Sequence, residues 1–424
     1  MVQLTVVRET CQNFLLEQED MANKNLTQAK NAKNDEFYTQ WADIEREVQT
    51  YLEFDPDVFR GKTILCPCDD PSESNFFKYF ALNFGTFGLK KLSATCYVGS
   101  PIANKELSLF PDESEEGKTT KQPHKIEITE IPDLNNDGAV DLEDVELLLA
   151  SDRNHLTQLK GDGDFRSEEI KKLRDEADII ITNPPFSLFR EFLAWIVEAD
   201  KQFLVIANMN AIAYKEVFPL IKENKIWLGA TGFNEGMYFK VPVGFIYADS
   251  YKFDRERNGE KVNRVPGVCW FTNFDHGRRH QPLSLMTMAE VFEYSRHKEI
   301  MGKTAYDQYD NYDAIEVPFT DAIPSDYDGV MGVPISFLDK YCPEQFEILG
   351  ITKTWFGGAN KIYPKQIQVN ANGRQSQGLV TKLNDGAAIK IDAPPSNETY
   401  YIVDAVYYTQ VYARILIKHK GAPE

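Results

Sequence analysis

Between residues 62 and 272, short apolar runs alternate with segments whose apolar residues recur every three or four positions. The runs 62–66, 92–98, 178–182, 202–207 and 225–228 are too short for helices. Their β-branched and aliphatic content predicts strands, buried where the run is continuous. Between them, Phe76, Phe77, Phe80 and Phe84 share a helical spacing, as do Phe189, Phe192, Leu193 and Ile196 within 188–199. A further helix is predicted over 214–222, and 267–272 reads as a strand able to close the sheet. Such alternation predicts an α/β domain with a mostly parallel sheet and helices on both faces. Past about residue 275 the pattern breaks into short aromatic segments interrupted by Gly, Pro, Asn and Asp, which predicts a separate, irregular α+β region.

A chain of 424 residues has room for two domains with substantial cores. No apolar run approaches membrane-spanning length, and the six cysteines show no disulfide-framework spacing. The cytoplasm is the expected compartment. The formal net charge of −19 opposes long-range attraction to nucleic acid. Its distribution is uneven, however. Acid gathers at 112–116, 133–146 and 162–169, whereas basic clusters lie at 276–280, 296–298 and 414–420. Any DNA-binding face must therefore be local.

The tetrapeptide Asn183-Pro184-Pro185-Phe186 follows the strand-like run 178–182 directly. Two prolines forbid strand continuation and hold the residues before them extended. The expected result is a rigid loop at the carboxyl end of a strand, where open α/β sheets bind ligands. The Asn183 amide oxygen and the Pro184 carbonyl can accept hydrogen bonds from an amino group, and Phe186 can stack on a planar base. That set suits the exocyclic amine of a flipped nucleobase. The bland alternative is a plain turn.

A second motif is independent of the first. Asp133, Asn135, Asp137, Asp141 and Asp144 occupy positions one, three, five, nine and twelve of a calcium-loop pattern, with Gly138 at six. Position twelve is Asp rather than the longer Glu, and a strand rather than a helix is expected to enter the loop. A structural calcium site and an acidic turn capping a helix both remain open. His276 and His280, four apart, flank Arg278 and Arg279, a pattern that favours a phosphate-contact patch over a metal site.

Several stretches together resemble the EcoRI-type adenine-specific DNA methyltransferases. They are 33–40 (KNDEFYTQ), 66–71 (CPCDDP), 161–167 (GDGDFRS), 183–186 (NPPF) and 309–313 (YDNYD). The resemblance runs from about Met21 to near the C-terminus. It implies a Rossmann-like, S-adenosylmethionine-dependent catalytic domain over 21–275, with an acidic insertion at about 101–160. A C-terminal α+β target-recognition region over 276–424 follows, and 1–20 would be an extension. The implied catalytic loop is Asn183, Pro184, Pro185 and Phe186. Implied cofactor contacts are Phe37, Tyr38 and Thr39 over the methionine end, Cys66, Pro67, Asp69 and Asp70 in the loop after the first strand, and Asp164 with Phe165 at the adenine. That loop departs from the family pattern, with Cys66 at the usual acid and Asp70 and Ser72 at the usual glycines. Arg278, Arg279, Arg296 and Lys298 are expected to touch phosphates. Asn311, with Tyr309, Tyr312, Arg374, Gln375 and Gln377, is expected to face base edges.

The resulting expectation is sequence-specific methylation of adenine N6 in duplex DNA, for restriction–modification or epigenetic marking, with a cognate endonuclease as a possible partner. Two other readings stand beside it. A methyltransferase acting on a protein glutamine amide would use the same Asn-Pro-Pro geometry. A non-catalytic nucleic-acid-binding module would explain the irregular loop after the first strand.

Overall fold

The computed structural model describes residues 38–71, 74–96, 123–151, 157–233, 237–240, 255–257, 260–265 and 267–421. The chain divides into two compact units, Met1–Met209 with Thr231–Phe274, and Asn210–Ala230 with Asp275–Glu424. The segment Asn210–Ala230, read from sequence as a helix and strand of the first domain, thus belongs to the second unit.

The first unit is built on strands β1 (Thr63–Cys66), β2 (Lys91–Thr95), β3 (His124–Ile128), β4 (Thr157–Gln158), β5 (Ile179–Thr182), β6 (Gln202–Asn208) and β7 (Val268–Thr272). Their spatial order is β4-β3-β2-β1-β5-β6-β7. β1 pairs in parallel with β2 and β5, and β5 with β6. β3 and β7 are antiparallel to β2 and β6 respectively. Ile64, Leu65, Ile179, Ile180 and Ile181 are all buried, as a central parallel strand covered on both faces requires.

Helices cover the sheet, those at Asn75–Leu82 and Phe189–Glu198 with the spacing the sequence predicts. α1 (Trp41–Phe54) buries Ile44, Val48 and Tyr51 on one face. α2 (Asn75–Leu82) begins at Ser74, whose hydroxyl accepts from the amides of Phe76 and Phe77. α3 (Leu142–Ser151) follows the acidic loop. α4 (Glu168–Glu176) is capped by Ser167, carries Glu168 and Glu169 in its first turn and Arg174 in its last, and so matches the helix dipole at both ends. α5 (Phe189–Glu198) buries Phe189, Phe192, Leu193 and Ile196, the predicted stripe. A small antiparallel sheet adds Tyr38–Thr39 to Met237–Lys240.

The second unit holds two four-stranded sheets. One contains β8 (Ile315–Glu316), β9 (Met331–Pro334), β10 (Phe346–Ile351) and β15 (Arg414–His419). The other contains β11 (Ile367–Val369), β12 (Ala387–Ile391), β13 (Tyr400–Val403) and β14 (Val406–Val411). Loops and short 3-10 turns connect them, with α-helices at Phe218–Lys222 and Met288–Tyr294. No helix of the described residues is long and apolar enough to cross a membrane.

Candidate active site

At the carboxyl edge of the first unit's sheet, several loops are tied together by specific bonds. β5 ends at Thr182, and Asn183 follows it, 9% exposed. Pro184 is buried, and Pro185 turns the chain into a 3-10 turn at Phe186–Leu188, its carbonyl accepting from the Leu188 amide at 2.9 Å. Phe186 is partly buried and packs against the core of the unit.

The loop after β1 is joined to this one through Asp69. Its carboxylate accepts from Thr182 Oγ1 at 2.5 Å and from Ser74 Oγ at 2.6 Å. Burial pushes the Asp69 carboxyl up to about 6, against the two hydroxyl bonds, which favour the charged form. Thr95, at the end of β2, donates to the Pro67 carbonyl at 3.0 Å. Cys66 is fully buried, and burial pushes its thiol well above the usual range. It is a neutral core side chain at the position where a family acid was sought, so the expectation that it contacts a cofactor is corrected.

Gly163 brings the loop before α4 to the same edge. It has φ of +78°, and a Cβ there would sit 2.3 Å from the Cys96 carbonyl oxygen, so only glycine fits. Asp164, next in sequence, is held by Arg166, which donates from Nε and Nη2 at 2.8 and 2.6 Å. The Arg166 guanidinium keeps the Asp164 carboxyl below its usual range. Phe165 is 4% exposed, its ring edge-on to Phe192 and Trp195 at 5.1 and 5.7 Å. The open aromatic face expected there is absent; Phe165 anchors the loop to α5 instead.

Thr39 also reaches this edge, because its carbonyl accepts from Asn75 Nδ2 at 2.7 Å at the start of α2. Its hydroxyl is buried and has no hydrogen-bond partner among the described residues. Phe37 and the Tyr38 side chain lie outside the described residues.

Asp70, Cys96 and His124 form a cluster that sequence reasoning missed, with one donor atom from each all within 4.8 Å of one another. No spacing motif announces it, since the three come from different strand ends.

The acidic loop is a hydrogen-bonded turn. Asp133 accepts from the amides of Asp137 and Gly138, Asn135 from Asp137, Asp137 from Ala139, and Asp141 from Glu143. Asp144 is fully buried and spends both oxygens on the amides of Leu134, Asn135 and Asp141. These acceptors face backbone donors rather than a common centre, and the expectation of a calcium site is not supported.

In the second unit, several residues assigned to DNA are interior. Arg279 is 7% exposed, lies over the Trp227 ring at 3.8 Å and bonds Asn224 and Asp275. Arg278 donates to the Ala230 carbonyl and pairs with Asp339 at 3.0 Å. It also lines an open cleft of about 310 Å³ with Gln281, Ser284, Thr320 and Lys340. His276 is buried against the Leu228 carbonyl, and His280 sits between Asp275 and Glu344. Asn311 is fully buried, donating to the Gly386 carbonyl and accepting from the Ala388 amide, so it cannot read a base edge. Tyr309 and Tyr312 are core residues, with Tyr309 bonded to Glu316 and Glu316 paired to Arg414.

By contrast, Arg296 and Lys298 are exposed. Arg374, Gln375 and Gln377 are exposed as well, on a hairpin closed by the bridges Gln366↔Val380 and Val369↔Gln375. Gly373, with φ of +77°, makes its turn.

The buried geometry of Arg279 carries a prediction. Arg279→Ala should lower stability by on the order of 2 kcal/mol through lost packing and cation–π contact. The salt dependence of DNA affinity should stay as in the parent. Thermal denaturation and fluorescence anisotropy over a salt series measure both. A salt slope reduced by about one unit would show that Arg279 is a phosphate contact after all.

Residues 25–420 match the family model described as Adenine-specific methyltransferase EcoRI. The chain is 43% identical over 332 residues to Type II methyltransferase M.EcoRI of Escherichia coli, covering 78% of this chain and 90% of that protein. It is 36% identical over 323 residues to Type II methyltransferase M.MpnI of Mycoplasma pneumoniae, covering 76% and 83%. A third relative, Type II methyltransferase M.MgeORF184P of Mycoplasma genitalium, is 33% identical over 357 residues, covering 84% and 93%. No solved structure matches the chain significantly.

Proposed function

The chain belongs to the EcoRI family of adenine-specific methyltransferases, and we propose that it methylates adenine N6 at a specific sequence in duplex DNA. The observation that carries this reading is the Asn183–Phe186 loop at the carboxyl end of a central parallel strand, bonded through Thr182 and Asp69 to the loop after β1. The role proposed in the cell is the modification half of a restriction–modification pair, or an epigenetic mark.

S-adenosylmethionine fits the residues present. The buried Thr39 hydroxyl lacks a partner among the described residues, and the Asp164 carboxylate follows Gly163, which packs against the Cys96 carbonyl past the end of β2. Thr39, Pro67 and Asp164 would hold it, the Asp164 carboxylate accepting from its amino group. When bound, it supplies an electrophilic methyl group on a sulfonium.

Asn183 Oδ1 and the Pro184 carbonyl accept the two amino N–H groups of a flipped adenine. That turns the nitrogen lone pair out of conjugation and toward the methyl carbon. Phe186, only partly buried, stacks on the base. Asp69, buried and bonded to Ser74 and Thr182, positions the loop rather than acting as a base, and the proton leaves to solvent after transfer. Arg296 and Lys298 neutralise phosphates, and the hairpin bearing Arg374, Gln375 and Gln377 presents polar groups to base edges, a two-stranded ribbon being narrow enough for the major groove.

The test is transfer of labelled methyl groups from S-adenosylmethionine to duplex DNA, followed by nucleoside analysis. N6-methyladenine is the expected product. N4-methylcytosine, or label on protein alone, would overturn the reading.

A further inference from the structure

We propose that Asp70, Cys96 and His124 form a binding site for a thiophilic divalent cation of the zinc class. Each residue comes from a different place in the chain: Asp70 from the loop after β1, Cys96 from the end of β2, His124 from the start of β3. Because β3 runs antiparallel to β2, its first residue returns to the edge where β2 ends. The Cys96 amide donates to the His124 carbonyl at 3.2 Å, which fixes the two backbones side by side.

The donor set and its spacing both suit the ion. One thiol, one imidazole and one carboxylate are the ligands zinc takes, and the mixture of soft and borderline donors disfavours magnesium and calcium. Tetrahedral zinc with ordinary Zn–S and Zn–N bonds places sulfur and nitrogen about 3.6 Å apart. Cys96 Sγ lies 3.1 Å from His124 Nδ1 and 3.6 Å from Nε2, so ligation needs only a small side-chain adjustment. One donor atom from each of the three residues already falls within 4.8 Å of the others. Cys96 is buried, and Asp70 and His124 are half-buried, which gives the ion a route in while shielding its sulfur ligand.

Three protein ligands leave a fourth position for water or another small donor. The site also joins the two ends of the connection between β2 and β3. The ion binds the folded chain, in which Cys96 and His124 stand side by side, and not the unfolded one, so binding should appear as added stability.

The experiment is titration of the full-length reduced protein with Co2+, a spectroscopic stand-in for Zn2+, and then with Zn2+. A thiolate-to-cobalt charge-transfer band in the near ultraviolet should grow to one equivalent and be displaced by Zn2+. Zn2+ should raise the melting temperature. Cys96→Ser should abolish the band, and His124→Gln should weaken binding at least tenfold while retaining the metal-free melting temperature. Asp70→Asn should weaken it less. No band in the parent, or a band that persists in Cys96→Ser, would overturn the proposal. If Cys96→Ser fails to fold, His124→Gln decides: undiminished binding there overturns it equally.

Discussion

Asn183→Ala should cut turnover by roughly a hundredfold or more while leaving S-adenosylmethionine affinity nearly unchanged. The size of the loss is that of removing one positioned polar group whose partner gains charge in the transition state. The separation of effects comes from place. Asn183 follows the last residue of β5, and the cofactor contacts proposed above stand on other loops, at Thr39, Pro67 and Asp164. Truncating a 9% exposed amide also carries a stability cost of about 1–3 kcal/mol. Rates must therefore be taken well below the variant's melting temperature. Asn183→Asp keeps an acceptor oxygen of the same length and should retain more turnover than alanine does. Single-turnover kinetics on a cognate duplex, with calorimetry of cofactor binding, resolve the two quantities. Parallel loss of cofactor binding in Asn183→Ala would remove the loop from the substrate side of the site.

The strands of the first unit were legible because their burial is written in composition: Ile179, Ile180 and Ile181 have no polar alternation to confuse with a surface strand. The stripe Phe189, Phe192, Leu193 and Ile196 was legible for the equivalent reason in a helix. What the sequence hid is partnership between distant side chains. Asp69 gives no sign that it bonds Thr182, and nothing in the spacing of Cys96 and His124 shows that an antiparallel return sets them side by side. The second unit was hardest to read. It is rich in loops, and buried loop backbone needs polar partners. Asn311 satisfies Gly386 and Ala388, and Arg279 satisfies Asn224. Such residues resemble exposed recognition groups in composition alone, whereas Arg374 and Gln375 on their hairpin are the ones left outward.

Asp69 should make the stability of this protein fall as pH rises from about 4 to 7, and Asp69→Asn should remove that fall. The carboxyl is buried, and burial raises it to about 6 in the folded chain from an ordinary value of 3.8. Between those two values the folded state holds a proton that the unfolded state has released. The stabilising contribution is therefore complete below the unfolded value and is lost as pH climbs through the folded one. A displacement of this size corresponds to on the order of 3 kcal/mol between pH 4 and pH 7. The hydroxyls of Ser74 and Thr182 temper the cost by donating to the charged form, yet burial outweighs them. An amide at this position stays neutral throughout and still offers an oxygen to one hydroxyl. Stability against urea, measured for both proteins at intervals across this range, gives the comparison. The parent should lose stability relative to Asp69→Asn as pH rises, with the steepest change near about pH 5, midway between the unfolded and folded values. Curves that run parallel would mean that Asp69 ionises without cost, and that its bond to Thr182 does not set the stability of the link between the two loops.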